Sequence, residues 1–394
     1  MRILIASHGY PPTISGVTLV AQKLARAMVA RGHQVCVLTA SDRLEPYRSC
    51  DQGVQLIRVR SRENPFWSEG PIPFIAQSDL EEILSSFRPD VVHTHETAIL
   101  AFQLARLRRR LKTFPLIATC HYVPHFVAQY LGSEKLEDWI LTLAWTFSIH
   151  LLNQCDHVVF ATRAHRHFFL QEGLKTPTSI ISNGIDTTRY HPKGQSEEDV
   201  IQRYALPMGP RILFVGRLAK DKKIHILIRA MRYIHQEIDA HLLLVGRGDE
   251  RSRLEQLAKE LALQERIHFL GFVPEEDMPA IYRASQLFAI ASTCEVQSLP
   301  TLQAMATALP VVAVNAVALP EIVRDGYNGL IVPPNKPEEM AQAILRLLRN
   351  PSLAKEMGQR GYELAQDHAE PLTFTAYETL YQQLSTNRKV SPTY

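Results

Sequence analysis

The sequence has few of the features that mark secreted, zinc-binding or membrane-spanning proteins. It contains five cysteines in 394 residues, and no two of them have a CxxC or zinc-like spacing. The sequence therefore supports neither a disulfide framework nor a zinc knuckle. The longest largely apolar stretch, residues 139–152, is interrupted by four polar side chains and is too short to cross a bilayer. Met1 leads directly into a strand pattern, which predicts a cytoplasmic protein.

The chain also has no excess of either charge. It carries 43 Lys and Arg residues against 40 Asp and Glu, a formal net charge of +3. A nucleic-acid-binding protein usually has a strong basic field, so we expect no nucleic acid partner. With 46% hydrophobic residues, the chain has enough apolar material for packed cores, and its length favours two domains.

Short apolar runs alternate with helix-length amphipathic segments along the whole chain. Runs of Val, Ile and Leu of this length are typical of parallel strands covered by helices on both faces. The first series lies at 3–6, 35–39, 54–59, 91–93, 116–119, 158–161 and 179–181, and the second at 212–215, 242–245, 267–270, 287–291, 311–314 and 330–332. The pattern predicts an α/β protein with two Rossmann-like, doubly wound parallel-sheet domains.

The two series begin almost identically, with RILI at residues 2–5 and RILF at residues 211–214. We therefore predict an N-terminal domain at about 1–190 and a C-terminal domain at about 200–370. A last helix, at about 371–394, could pack back on the first domain. Two such domains would face each other across a cleft lined by the carboxyl ends of their strands, where α/β sheets bind ligands.

The loop after the first strand reads SHGYPPTISG and ends at Gly16, where a helix begins. Glycine at such a turn permits close backbone approach, and the helix N-terminus offers unpaired N–H groups to an anion. The loop lacks the GxGxxG spacing of a dinucleotide site. An ordinary turn between strand and helix explains the loop equally well.

The second domain repeats this arrangement with added positive charge in the segment VGRLAKDKK, residues 215–223. Arg217 follows a strand end, and Lys222 lies five residues later at a helix start. A guanidinium and an ammonium at this place suit a pyrophosphate. The alternative is a solvated basic loop in which Asp221 balances the charge.

A further segment, STCEVQSLPTLQAMA at residues 292–306, leads from a strand into a helix. Glu295 could accept hydrogen bonds from sugar hydroxyls, and the helix start at Ser298 and Leu299 could hold phosphate. Glu295 could equally complement the positive end of the helix dipole.

Together these motifs resemble the retaining glycosyltransferases of family 4, which have the GT-B fold. The resemblance rests on YPP and Gly16, on GRL with Lys222, on GRG at 246–248, on GFVP at 271–274 and on the Glu295 segment, all in order along nearly the whole chain. It implies a nucleotide-sugar donor in the C-terminal domain, an acceptor site in the N-terminal domain, and no cofactor or metal.

The resemblance also implies roles for single residues. Arg217 and Lys222 would neutralise the departing diphosphate, with Glu295 and His121 facing the sugar. The donor would further contact residues of both domains, namely Gly16, Gly216, Gly246, Val273, Ser298, Leu299 and Gln303. His121 ends a strand and would, without the resemblance, be read as structural.

Gln303 departs from the family pattern, which has a second Glu eight residues after the first. That Glu binds the ribose hydroxyls of the nucleotide, and a glutamine can still accept through its carbonyl oxygen. A neutral acceptor forms a weaker bond, so the change predicts lower donor affinity. A changed nucleotide preference and a non-catalytic nucleotide-sugar-binding protein are the alternatives.

The acceptor is less clearly indicated. Residues 103–112 form a basic amphipathic segment, whose cations are Arg106, Arg108, Arg109, Arg110 and Lys112. It could lie on an anionic membrane, or be a solvated helix whose leucines dock on the sheet. Aromatic side chains after His121 could line an acyl or sugar groove or pack in the core, at Tyr122, Phe126, Tyr130, Trp139 and Trp145. Similarity around EVQSLP to diacylglycerol glucosyltransferases favours a lipid acceptor over a soluble sugar.

A metal hydrolase is the remaining alternative class. It could use the HTHE sequence at residues 93–96. Two histidines of this spacing on a strand need further ligands, which the sequence does not identify.

Overall fold

A computed structural model describes residues 1–13, 15–63, 71–96, 98–124, 134–194 and 197–389 of the chain. The fold consists of two compact α/β units. The first contains Met1–Ser182 together with Pro371–Tyr394, and the second contains Asn183–Glu370. The division thus falls eight residues before the position expected from the sequence, and the C-terminal segment belongs to the first unit. Two residues expected near the acceptor site, Phe126 and Tyr130, lie outside the described residues.

The first unit is built on an eight-stranded sheet. Its strands are β1 (Arg2–Ser7), β2 (Gln34–Ala40), β3 (Tyr47–Asp51), β4 (Val54–Val59), β7 (Val91–Thr94), β8 (Leu116–Cys120), β9 (His157–Phe160) and β10 (Thr178–Ile180). Two short strands, β5 (Ser61–Arg62) and β6 (Ile72–Pro73), form a separate pair. The sheet order is β10-β9-β8-β7-β1-β2-β4-β3, and all neighbours are parallel except β3 with β4. The sequence patterns missed β3 because this edge strand, YRSCD, has little apolar content.

Helices connect the parallel strands of the first unit. They are α1 (Gly16–Ala30), α2 (Gln77–Phe87), α3 (Ile99–Leu111), α4 (Glu134–Leu152), α5 (Arg163–Gln171) and, at the end of the chain, α14 (Glu370–Lys389). In α3, Leu104 and Leu107 are fully buried, as expected for leucines docked on the sheet, whereas Leu111 is exposed. The two tryptophans of α4 differ as well, because Trp145 is buried and Trp139 is 62% exposed.

The C-terminal helix α14 joins the core of the first unit through two buried tyrosines. Tyr381 lies 2.6 Å from Nδ1 of His93, and the Tyr377 hydroxyl lies 2.9 Å from the hydroxyl of Thr119. On its outer side Glu378 accepts hydrogen bonds from Arg31 at 2.6 Å and pairs with His33 at 2.8 Å. Polar contacts as well as apolar packing therefore hold the last helix on the first unit.

The second unit has a six-stranded, wholly parallel sheet with the order β13-β12-β11-β14-β15-β16. Its strands are β11 (Arg211–Val215), β12 (His241–Val245), β13 (Ile267–Gly271), β14 (Leu287–Ile290), β15 (Val311–Val314) and β16 (Gly329–Val332). Its α-helices are α6 (Glu198–Arg203), α7 (Ile224–Ile234), α8 (Arg251–Glu260), α9 (Met278–Arg283), α10 (Leu299–Ala306), α11 (Leu319–Ile322), α12 (Pro337–Arg349) and α13 (Pro351–Ala365). A short 3₁₀ turn, Lys220–Lys222, precedes α7.

Both sheets are covered by helices, and their inner strands are almost entirely buried, as the uninterrupted apolar runs predict, whereas the edge strands β3, β10 and β13 are partly exposed. In the described part of the chain no helix is both long and apolar enough to cross a membrane.

Candidate functional site

The predicted donor motifs of the second unit lie at one edge of its sheet. They follow β13, β12, β11 and β14, which are consecutive neighbours and all parallel. Because parallel strands end at the same edge, the loops after Gly271, Val245, Val215 and Ile290 come together there. The topology therefore explains why motifs far apart in the sequence form one site.

Two glycines allow the loops at this edge to approach one another through their backbones. A Cβ atom on Gly246 would lie 1.9 Å from the carbonyl oxygen of Gly216, and one on Gly248 would lie 2.3 Å from that of Leu218. The Leu218 amide also donates to the Arg247 carbonyl at 2.9 Å. The GRG motif is thus required by close packing of the loops after β11 and β12.

A cluster of four charged side chains occupies the loops after β11 and β14, which we call the charge cluster: Arg217, Asp221, Lys222 and Glu295. The Lys222 ammonium donates to Oε1 of Glu295 at 2.7 Å and lies 3.2 Å from Asp221. Arg217 lies 3.6 Å from Asp221 and is one-third exposed. The Lys222 side chain is only 21% exposed and so is not a solvated cation, whereas the expectation of the alternative that Asp221 balances the charge agrees with the structure.

Two opposing effects act on Lys222. Burial lowers the pKa of the ammonium, but the negative charges of Glu295 and Asp221 outweigh it and raise the pKa above the usual value. Lys222 is therefore a permanent cation held in one position by two carboxylates. Such a preorganised charge suits the stabilisation of an anion.

Lys223, next in sequence, has a backbone φ of +50° and caps the 3₁₀ turn. This is the left-handed conformation, which glycine adopts more readily than other residues. The backbone at this position has the conformation that glycine favours, although the residue is lysine.

The helix after Glu295 begins with a capped N-terminus. The Ser298 hydroxyl accepts a hydrogen bond from the Thr301 amide at 3.3 Å, and Pro300 occupies the first turn, where no amide donor is needed. Ser298 thus serves at least as the N-cap of α10. Leu299 is the first residue of the helix and is half-buried.

Gln303 lies one turn further along α10. Its carbonyl oxygen accepts a hydrogen bond from the Tyr282 hydroxyl at 3.0 Å. Burial raises the pKa of this phenol well above its usual value, so Tyr282 remains a donor. Sequence reasoning missed Tyr282, which lies on α9 and belongs to no recognised motif.

The GFVP segment after β13 presents two different side chains. Val273 is buried, whereas the Phe272 ring is exposed and lies 5.6 Å from the guanidinium of Arg247. This contact joins the loops after β12 and β13 at the same edge of the sheet.

In the first unit, three histidines each follow directly after the carboxyl end of a strand. His8, His95 and His121 are the first residues after β1, β7 and β8, which are adjacent parallel strands. Nδ1 of His95 lies 3.0 Å from Nε2 of His121, so one ring donates to the other. Burial and the neighbouring histidines lower the pKa of His121 well below its usual value. His121 is thus a neutral imidazole held by His95, a partner that the sequence analysis considered only as a metal ligand.

Side chains of the HTHE segment, residues 93–96, form hydrogen bonds within the first unit. His93 is hydrogen-bonded to Thr119 at 2.7 Å as well as to Tyr381. The buried Glu96 carboxylate accepts from the Ala101 amide at 3.1 Å, and burial raises the pKa of Glu96 to about 7. Among the residues that the structure describes, no group of three or more His, Cys, Asp or Glu side chains is arranged to hold a metal ion.

Gly16 is the first residue of α1, and Ser15 is its N-cap. The Thr18 amide donates to the Ser15 hydroxyl at 3.2 Å, while the Ser15 amide donates to the Thr18 hydroxyl at 2.8 Å. This reciprocal capping fixes the helix N-terminus at the end of the SHGYPPTISG loop.

Two α/β units with parallel sheets of this topology, and a charge cluster at the sheet edge of the second unit, have the architecture of a GT-B glycosyltransferase. Comparison with known protein families gives the same assignment. Residues 14–189 match the family model "Glycosyltransferase Family 4", and residues 196–364 match "Glycosyl transferases group 1". The chain belongs to these glycosyltransferases and transfers a sugar from a nucleotide-sugar donor.

Individual relatives cover nearly the full length. The chain is 24% identical to alpha-monoglucosyldiacylglycerol synthase of Acholeplasma laidlawii, over 99% of this chain and 100% of that protein. Sucrose-phosphate synthase of Thermosynechococcus elongatus has the same fold, with a TM-score of 0.83 and 24% identity, over 98% of this chain and 99% of that one. HepE of Anabaena, solved with UDP-glucose, has a TM-score of 0.78 and 20% identity, over 98% and 100%.

Proposed function

We propose that the enzyme transfers a hexose from a UDP-sugar to the hydroxyl of a diacylglycerol-type lipid, with retention of configuration and without a divalent metal. The observation that carries this proposal is the contact of Lys222 with Glu295, 2.7 Å long, beside Arg217. With Asp221, these side chains form a group of two cations and two carboxylates at the edge of the sheet where α/β folds bind nucleotides.

The cations would act on the leaving group. Breaking the bond between sugar and phosphate builds negative charge on the departing diphosphate, and a fixed cation stabilises that charge without reorganising. Lys222 is the fixed cation, and the more exposed Arg217 would complete the diphosphate site. These two charges would do what a divalent metal does in other transferases.

Other residues at the edge would bind the rest of the donor. The backbone of Gly216, Gly246 and Val273 would lie against the nucleotide, and the start of α10 at Ser298 and Leu299 would approach the phosphate. The half-buried Gln303, already held by Tyr282, would meet the ribose hydroxyls. Gly16 would approach the same phosphate from the N-terminus of α1.

Retention requires that the acceptor hydroxyl enter on the face from which the diphosphate leaves. In this scheme the departing phosphate oxygen helps to take the acceptor proton, so no carboxylate nucleophile is needed. The neutral imidazole of His121 would face the donor sugar as a hydrogen-bonding group.

A lipid acceptor is favoured because the Acholeplasma relative is, by its name, a synthase of monoglucosyldiacylglycerol and aligns over 99% of this chain. The fold of HepE holds UDP-glucose, which favours a UDP-sugar. With such an acceptor the enzyme would be a cytoplasmic protein in peripheral contact with an anionic membrane, through the cations at residues 106–112. A soluble sugar or polysaccharide precursor is the second candidate acceptor.

Gln303, which replaces the second Glu of the family pattern, makes the nucleotide preference of the donor site part of the test. A screen of UDP- and GDP-sugars against diacylglycerol and simple sugars, with and without EDTA, separates these functions. We expect transfer from a UDP-sugar to diacylglycerol that EDTA does not reduce, and an α-linked product by NMR. Binding without turnover, loss of activity in EDTA, or an inverted product would each overturn the corresponding part of the proposal.

A further inference from the structure

Two helices of the first unit expose large apolar side chains that meet on one surface. Ile99 and Phe102 lie on α3, and Trp139, Leu143 and Phe147 lie on α4; we call these five residues the apolar patch. Each is at least 40% exposed, and Trp139 reaches 62%. The rings of Phe102 and Phe147 lie 6.2 Å apart and join the two halves.

The spacing on α4 shows that this exposure follows a pattern. Trp139, Leu143 and Phe147 recur every four residues and form a stripe about 12 Å long on one side of the helix. Trp145 and Leu152 on the other side are buried in the unit. The helix is therefore apolar on its outward face as well, where a helix on the surface of a water-soluble protein is normally polar.

Cations border the patch where α3 continues. Arg106, Arg109 and Lys112 are exposed and make no salt bridge with the described residues, whereas Arg108 and Arg110 pair with Asp156 and Glu81. These three cations would supply the attraction of this surface to an anion.

We propose that the apolar patch and its bordering cations dock the enzyme on an anionic phospholipid bilayer. Trp and Phe side chains favour the headgroup region of a bilayer, and arginine and lysine pair with lipid phosphate. A contiguous apolar surface with a basic border is the combination that such a membrane binds. This inference rests on the proposed function, because an enzyme that glycosylates a lipid must take that lipid from a membrane.

Charge distinguishes the bilayer from a second copy of the chain. A second copy would present the same patch with the same three unpaired cations, so it would add no surplus of negative charge at this surface. An anionic bilayer neutralises them.

Sedimentation of the full chain with vesicles tests the proposal. Phosphatidylcholine vesicles with and without phosphatidylglycerol are compared, in the absence of donor and acceptor. We expect binding that requires phosphatidylglycerol, and partition reduced on the order of tenfold by Arg106→Gln with Arg109→Gln. Leu143→Ser with Phe147→Ser should also abolish most binding.

Matched controls lie on the second unit. Lys259→Gln with Arg346→Gln removes two exposed cations, and Met208→Ser removes an apolar side chain that is 84% exposed. Neither should change the partition. The docking surface is wrong if the unaltered protein binds neither kind of vesicle, or if the patch and control variants bind equally. A dimer that Leu143→Ser with Phe147→Ser dissociates would assign the patch to a second copy and also overturn it.

The failure of this proposal can be told apart from failure of the transferase function. Vesicle binding needs no turnover, whereas UDP-sugar hydrolysis in solution needs no membrane. Hydrolysis without vesicle binding removes the docking surface alone, and vesicle binding by a protein with no turnover removes the proposed reaction alone.

Discussion

The two units have the same α/β scaffold, but the side chains that follow their strands differ in charge: they are charged in the second unit and neutral in the first. The edge of the second unit carries paired full charges, with Lys222 bonded to Glu295 and Asp221. The corresponding edge of the first unit carries neutral groups, because burial lowers the pKa of His95 and His121 and raises that of Glu96 to about 7. A parallel sheet fixes where a site lies, and the side chains after each strand decide its charge.

This difference suits the two units to different chemical groups. Fixed cations are suited to a charged diphosphate, whose negative charge grows during the reaction. Neutral imidazoles are suited to an uncharged sugar or hydroxyl, for which a strong field offers no advantage. The apolar surface of α3 and α4 adds to this contrast, because it belongs to the first unit, whose sheet edge is neutral.

The largest effect should follow from removing the fixed cation. Lys222→Ala leaves the leaving group without its main positive charge, and we expect kcat to fall on the order of 10²–10³-fold. Steady-state transfer rates measure the loss. Lys220→Ala is the matched control, because Lys220 lies in the same 3₁₀ turn but is exposed, and its rate should stay near that of the unaltered enzyme. Equal rates for the two variants would remove the assigned role of the charge cluster.

A second prediction concerns the neutral edge and pH. The folded protein holds the Glu96 proton up to a pKa of about 7, whereas the unfolded chain releases it near 4.5. The native state therefore binds more protons between these values, and its stability falls as pH rises through this window. One such group contributes about 1.4 kcal/mol per pH unit. Glu96→Gln should remove this contribution.

Urea unfolding followed by tryptophan fluorescence measures the effect, because all three tryptophans lie in residues 1–182 of the first unit. The exposed Glu82→Gln is the control and should keep the slope. Parallel pH profiles for Glu96→Gln and the unaltered protein would mean that Glu96 is ionised in the folded state. That result would contradict the neutral character assigned to this edge of the sheet.

The smallest effect is expected at Gln303. Gln303→Glu replaces a neutral acceptor by a charged one, which forms a bond roughly twice as strong. The donor KM should fall by about fivefold while kcat changes little, as initial rates over a range of donor concentrations would establish. The exposed Gln342→Glu adds the same charge on α12 and should leave the donor KM unaltered. An unchanged KM in Gln303→Glu would argue against a ribose contact.

Much of the architecture could be read from the residues because buried parallel strands have a local signature. Runs such as 311–314 and 54–59 have the bounds that the structure gives to β15 and β4. The edge strand β3 has no such signature, since its side chains are mostly exposed. The order of the motifs along the chain likewise indicates the family.

The sequence by itself therefore determined two α/β units, the family and the candidate residues Arg217, Lys222 and Glu295, because each depends on short patterns within one segment. Tertiary structure decided which groups meet across segments, including the bonds of His95 to His121 and of Tyr282 to Gln303. It also decided that Trp139 is exposed while Trp145 is buried. Burial and distance set these pairings and pKa values, and both depend on parts of the chain that are remote in sequence.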